Sequence, residues 1–159
     1  MMRFLRLFWT TLKGFIHHKF LDSLVDNISP QEDLTRYLLS SNQFSPSNKR
    51  VKSSAFLPPQ NLKLSVFRIK DLSNVNIWKI GTDKVANRIN PPKTLHARAD
   101  FVADVAISKG LQIIPDKRPI RHANIVGWPE EKPKRKEIAL ELAANAHLEI
   151  NPFKNPVMD

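Results

Sequence analysis

Twelve prolines are spread over the 159 residues of this chain, and they limit how long any helix or central strand can be. Proline interrupts the interior of a helix and removes a hydrogen-bond donor from a sheet. The prolines must therefore sit mainly between elements, which predicts a fold of short helices and strands. The length fits one domain with a single ordinary core.

Several short runs have the apolar alternation and composition of strands. They lie at 64–69, 94–98, 111–114 and 120–126, with 148–150 as a candidate edge strand. The runs at 111–114 and 120–126 flank a proline-containing turn, so we expect them to pair as a hairpin.

Helix patterns lie between these runs. They cover 73–85, 100–106 and 129–146, and the last is the strongest because it combines good helix formers with an apolar face. Ser29 as a cap, Pro30 at the first position and acidic residues after them predict a further helix over 30–39. Together these elements predict an α+β, or small α/β, fold with a compact mixed sheet and packing helices.

We divide the chain into a helical N-terminal segment at 1–28, a domain at 29–150 with a long basic loop at 40–60, and a tail at 151–159. The N-terminal segment has the spacing of an amphipathic helix. Its apolar face comprises Phe4, Leu5, Phe8, Leu12, Phe15 and Ile16. This face suits a groove on a larger protein, an anionic membrane surface, or simply the chain's own core.

Charge is the main functional clue. The 25 Lys and Arg against 15 Asp and Glu give a net charge of +10, which attracts phosphate polyanions, anionic membranes or acidic proteins. With no cysteine there is no disulfide framework, thiolate zinc site or cysteine nucleophile. We expect a cytoplasmic protein without a metal or cofactor, since no His or carboxylate spacing indicates one.

The positive charge is unevenly distributed along the chain, because residues 34–70 contain no Asp or Glu. The cations of this segment, with serine hydroxyls and asparagine amides nearby, predict contacts to the phosphate backbone of RNA or DNA, and two phenylalanines could stack on bases. The predicted residues are Arg36, Lys49, Arg50, Lys52, Lys63, Arg68, Lys70, Phe44 and Phe56. The alternative is a solvated loop whose aromatic side chains pack on the core. No sequence-reading motif accompanies the segment.

Two polar clusters lie in predicted strands, His96 with Arg98 and Arg121 with His122. If those strands were neighbours, the imidazoles could act as base and acid while an arginine stabilises phosphoryl charge. The alternative is that the histidines form structural hydrogen bonds and the arginines pair with nearby aspartates.

These observations favour a non-enzymatic accessory module that binds nucleic acid through its backbone and docks on a larger protein through the N-terminal helix. A small phosphodiesterase or nucleotide-processing enzyme that uses the paired His and Arg is the first alternative. A peripheral membrane-surface protein is the second.

Overall fold

A computed structural model describes residues 27–153 of the chain. Its strands, in chain order, are β1 (Asp33–Leu38), β2 (Phe44–Ser45), β3 (Arg50–Val51), β4 (Leu64–Arg68), β5 (Ala97–Val102), β6 (Gln112–Pro115), β7 (His122–Val126) and β8 (His147–Ile150). Its α-helices are α1 (Asn74–Ile80), α2 (Asp104–Ile107) and α3 (Lys132–Ala144).

Six of the strands form one sheet in the order β6-β7-β4-β1-β5-β8, and every neighbouring pair is antiparallel. β2 and β3 form a separate small hairpin. The sheet and its packing helices confirm the predicted α+β fold. The N-terminal face predicted from Phe4 to Ile16 lies outside the described residues.

One face of the sheet, which we call the core face, carries the larger hydrophobic cluster. Its strand residues are aliphatic or small, such as Leu34, Val66, Ala99 and Ile125, and all four are buried. Helices α2 and α3 cover this face together with the segment from β2 to the short turn at Ser53–Ala55. Burial of this apolar surface is the main source of stability in a domain of this size.

The opposite face, which we call the second face, is covered only in part. Helix α1 and the two short turns after it hold Ile77 and Trp78 against Tyr37 and Phe67. Gly81 follows α1 directly, and a Cβ atom there would lie 2.5 Å from a ring carbon of Tyr37. Glycine is therefore what lets this turn approach the sheet so closely.

The predicted helix over 30–39 is wrong, because this segment forms β1. The side chains of Thr35 and Tyr37 lie on the second face, and those of Leu34 and Leu38 lie on the core face. Both faces of β1 are therefore buried. A central strand of this kind gains hydrogen bonds along both edges, and this outweighs the local capping residues. Those residues form a turn instead, in which the Glu32 N–H donates to the Ser29 carbonyl at 3.0 Å.

The predicted helix over 100–106 is also wrong in its first half. The chain stays extended as far as Val102 because β5 pairs with β1 over six residues, and α2 begins only at Asp104. The strand at 64–69, the helix capped by Ser73, the 111–126 hairpin, the helix within 129–146 and the edge strand near 148–150 are confirmed.

A buried ion pair closes one end of the β1–β4 pairing. Arg68 Nη2 donates to Glu32 Oε2 at 2.9 Å, Nε donates to Oε1, and both side chains are about 95% buried. Charges removed from water in this way are tolerated only with such two-point geometry.

We predict that Glu32→Ala lowers the free energy of unfolding by about 3–5 kcal/mol, because it leaves the Arg68 guanidinium buried without its carboxylate. Lys79→Ala is the control, since it removes one partner of an exposed Lys79–Asp83 pair and should cost less than about 1 kcal/mol. Urea denaturation of both variants measures the difference. Equal losses would contradict the prediction.

Candidate functional site

The part of the second face that no helix covers carries polar side chains. Ser65 on β4 is directly opposite Asn124 on β7, and Phe67 is opposite His122. Because residues two apart on a strand share a face, Ser65, Asn124 and His122 lie together on the second face. All three are partly exposed, so this polar group is accessible from solvent.

A hydroxyl, an imidazole and a carboxylate form a line within this group. Ser65 Oγ lies 2.7 Å from His122 Nε2, which is a short hydrogen bond. On the other side of the ring, Asp116 Oδ2 lies 3.4 Å from His122 Nδ1. That contact is too long for a good hydrogen bond, and Nδ1 has no hydrogen-bond partner among the described residues.

The environment of His122 favours the neutral form of its ring. Burial lowers the pKa of His122 below the ordinary 6.5, the positive charge of Arg36 acts in the same direction, and Asp116 opposes both. Asp116 on the Nδ1 side favours the tautomer that carries its proton on Nδ1. Nε2 is then free to accept a proton from Ser65.

A second feature is a pocket of about 660 Å³ between α1 with its following turns and the β6–β7 loop. Five cationic side chains and one carboxylate line it, beside an apolar wall that includes Leu72, Ile80 and Ile120. The cations are Lys79, Lys84, Arg88, Lys117 and Arg118, and we call them and this cavity the cationic pocket.

The single carboxylate of the cationic pocket, Asp83, is already engaged by Lys79 at 3.0 Å. Lys84, Arg88 and Arg118 have no ion-pair partner in the part of the chain that the structure describes. The pocket therefore holds an excess of positive charge, which favours an anionic ligand.

The basic segment predicted from the sequence is divided by the fold. Phe44 and Phe56 are buried in the core, so neither ring is available to stack on a base, and the alternative that these rings pack on the core is confirmed. Two of the seven cations, Arg36 and Arg68, are largely withdrawn from solvent. The five that stay exposed are Lys49, Arg50, Lys52, Lys63 and Lys70.

Arg36 has a structural task. Its Nη1 donates to the Ser65 carbonyl at 2.9 Å and its Nε donates to the Ala55 carbonyl at 3.2 Å. Burial lowers the pKa of Arg36 to about 10, which still leaves it charged at neutral pH. The side chain thereby ties β1 to β4 beyond the residues that the two strands pair directly.

The two histidines predicted as a catalytic pair do not meet. His122 is on β7 and His96 precedes β5, and β4 and β1 lie between those strands. Three strand spacings separate them by about 14 Å across the sheet. The His96 ring lies instead 6.4 Å from the Phe44 ring.

The arginines predicted beside those histidines are structural as well. Arg98 is buried, donates to Asp100 at 3.1 Å and stacks 4.7 Å from the Trp78 ring centre. Arg121, with φ of 68°, donates from Nη1 to the Lys70 carbonyl at 2.8 Å. The alternative that the arginines pair with nearby aspartates is thus confirmed for Arg98 but not for Arg121, and neither residue lines the cationic pocket.

The sequence patterns predicted neither Ser65 nor the cationic pocket as functional. The pocket cations come from two segments, 79–88 and 117–118, that no motif connects. Ser65 is one of many serines, and only the register of β4 against β7 brings it to His122.

No protein-family model, curated protein or solved structure matches this chain. Among the described residues, no helix has the length and apolarity needed to cross a membrane. Within the same part of the chain, no three His, Cys, Asp or Glu side chains cluster as metal ligands.

The lowered pKa of His122 predicts a pH dependence of stability. Below pH 6.5 the unfolded chain binds a proton at this histidine that the folded chain binds less readily, so stability falls as pH drops through that value. His122→Gln should flatten the change, whereas His147→Gln, at an exposed ring, should not. Thermal melting between pH 5 and 8 tests this, and identical pH profiles for parent and His122→Gln would contradict it.

Proposed function

We propose that this protein binds a phosphorylated nucleotide unit in the cationic pocket, either as a free nucleotide or within a nucleic-acid strand. The observation that carries the proposal is the ratio of five cations to one carboxylate around a single cavity of about 660 Å³. That volume lies in the range of pockets for small ligands.

The two parts of the pocket match the two parts of a nucleotide. Leu72, Ile80 and Ile120 offer an apolar wall for a base or sugar. Lys84, Arg88 and Arg118, which are free of carboxylates among the described residues, can donate to phosphate oxygens. Hydrogen bonds between ionised groups of this kind are the strong ones.

A second group of cations favours a nucleic-acid strand, rather than a free nucleotide, as the ligand. Lys49, Arg50 and Lys52 are exposed on and beside the small β2–β3 hairpin. They offer additional contacts to a phosphate backbone, which would make binding to a strand more salt-dependent than binding to a nucleotide.

The sequence also predicted a role in docking on a larger protein, with a membrane surface as the alternative. Both depend on the N-terminal face from Phe4 to Ile16, outside the described residues, and both stay predictions. The phosphodiesterase that pairs His96 with His122 is not proposed, because the sheet separates them.

The double substitution of Lys84 and Arg118 by Glu should weaken binding of a fluorescent nucleoside triphosphate and of 5′-phosphorylated single strands by about a hundredfold or more. The loss of two charge-assisted hydrogen bonds, at about 1.5–3 kcal/mol each, accounts for that change. Fluorescence anisotropy at several salt concentrations measures it with the full-length chain.

Two further double variants carry the same change in net charge. Lys132 and Lys136 are on α3, which covers the core face of the sheet. Replacing both with Glu should leave binding within about twofold of the parent. Replacing Arg50 and Lys52 with Glu should weaken binding of the single-stranded nucleic acid but not binding of the nucleoside triphosphate. The proposal is wrong if the pocket variant binds like the α3 variant, or if the parent binds neither probe at low salt.

A further inference from the structure

The line of Ser65, His122 and Asp116 lies outside the cationic pocket. None of the three residues lines that cavity, although Asp116 immediately precedes two residues that do. Ser65 is partly exposed, as are His122 and Asn124 beside it.

The contacts within the line follow the order that nucleophilic catalysis by serine requires. A serine hydroxyl becomes a nucleophile when a neutral imidazole within hydrogen-bond reach accepts its proton, and a third group orients that imidazole. Here the hydroxyl-to-imidazole distance is 2.7 Å and the imidazole-to-carboxylate distance is 3.4 Å. Catalytic contacts are commonly longer before substrate binds, so the second distance suits an orienting role.

The sheet holds Ser65 and His122 in place, and a backbone hydrogen bond from the β6–β7 loop to β7 holds Asp116. Ser65 is the second residue of β4, and the Arg36 guanidinium holds its carbonyl. His122 is the first residue of β7, where its carbonyl accepts the Asp116 N–H at 2.8 Å and its ring packs 5.2 Å from the Phe67 ring. Such preorganisation is what an active site needs.

A side-chain amide lies across the strand pair from the hydroxyl. Asn124 is the direct cross-strand partner of Ser65, so their Cβ atoms are about 5 Å apart. The Asn124 side chain makes no hydrogen bond to another described residue. Its amide N–H is thus available to an oxyanion next to Ser65.

We propose that Ser65 is the nucleophile of an acyl-transfer site that cleaves carboxylic esters, with His122 as general base, Asp116 as its positioning residue and Asn124 as an oxyanion donor. Ser65 Oγ attacks the ester carbonyl carbon while its proton passes to His122 Nε2. The carbon–oxygen bond to the alcohol then breaks, and His122 returns the proton to the departing alkoxide. Water, deprotonated by His122, releases the acid from the acyl-serine and restores both residues.

A fluorophosphonate probe tests the nucleophile directly on the full-length chain. The probe should form one covalent adduct, which peptide mass spectrometry places on Ser65. Ser65→Ala should abolish it, while Ser54→Ala, at an exposed serine, should leave the labelling rate unchanged. His122→Gln, which keeps a hydrogen-bonding side chain but removes the base, should slow labelling by about a hundredfold or more.

The pH profile of labelling separates catalysis from a merely structural hydrogen bond. The groups that contact the His122 ring are Ser65 from β4 and Asp116 from the β6–β7 loop, while Arg36, on the core face of β1, acts on it only through its charge. Labelling should rise with pH as the ring loses its proton, with a midpoint below 6.5. Asp116→Asn should move that midpoint lower, because Asp116 raises the pKa of His122.

Hydrolysis of p-nitrophenyl acetate provides the second measurement. The parent should exceed Ser65→Ala by about a hundredfold or more, with circular dichroism showing that both are folded. The inference is wrong if the adduct falls on another residue, if no adduct forms, or if His122→Gln labels at the rate of the parent. Because the probe carries no nucleotide, failure here is independent of nucleotide binding in the cationic pocket.

Discussion

Guanidinium groups withdrawn from solvent bridge the central strands of this fold. Arg68 pairs with Glu32 at one end of the β1–β4 contact, and Arg36 bridges those strands further along by donating to the Ser65 carbonyl. Arg121 donates to the Lys70 carbonyl where the chain leaves β4. Arginine suits these places because its planar group offers several donors and stays charged when buried. Part of the chain's basicity is therefore structural and unavailable to a ligand.

The β6–β7 loop links the two candidate sites. It places Lys117 and Arg118 in the cationic pocket and Asp116 beside His122. Residues next to each other in sequence thus contribute to both places.

Local patterns were reliable where neighbouring residues decide the structure. The helix capped by Ser73, in which Ser73 Oγ accepts the Asn76 N–H, and the hairpin of β6 and β7 were both predictable. The turn at Gly127, with φ of 82°, is followed by Trp128, whose side chain is buried in the core. Local patterns failed at β1. There, hydrogen bonds to strands about 30 and 60 residues away outweigh the residues that would cap a helix.

The net charge, the absence of cysteine chemistry, the α+β class and most element positions were predictable, because they follow from composition and short-range periodicity. His122 was also predicted as a candidate, although with the wrong partner. The cations that face solvent were not predictable, since burial depends on which strand face meets the core. The pairing of Ser65 with His122 across 57 residues was likewise decided by strand register, which no local pattern specifies.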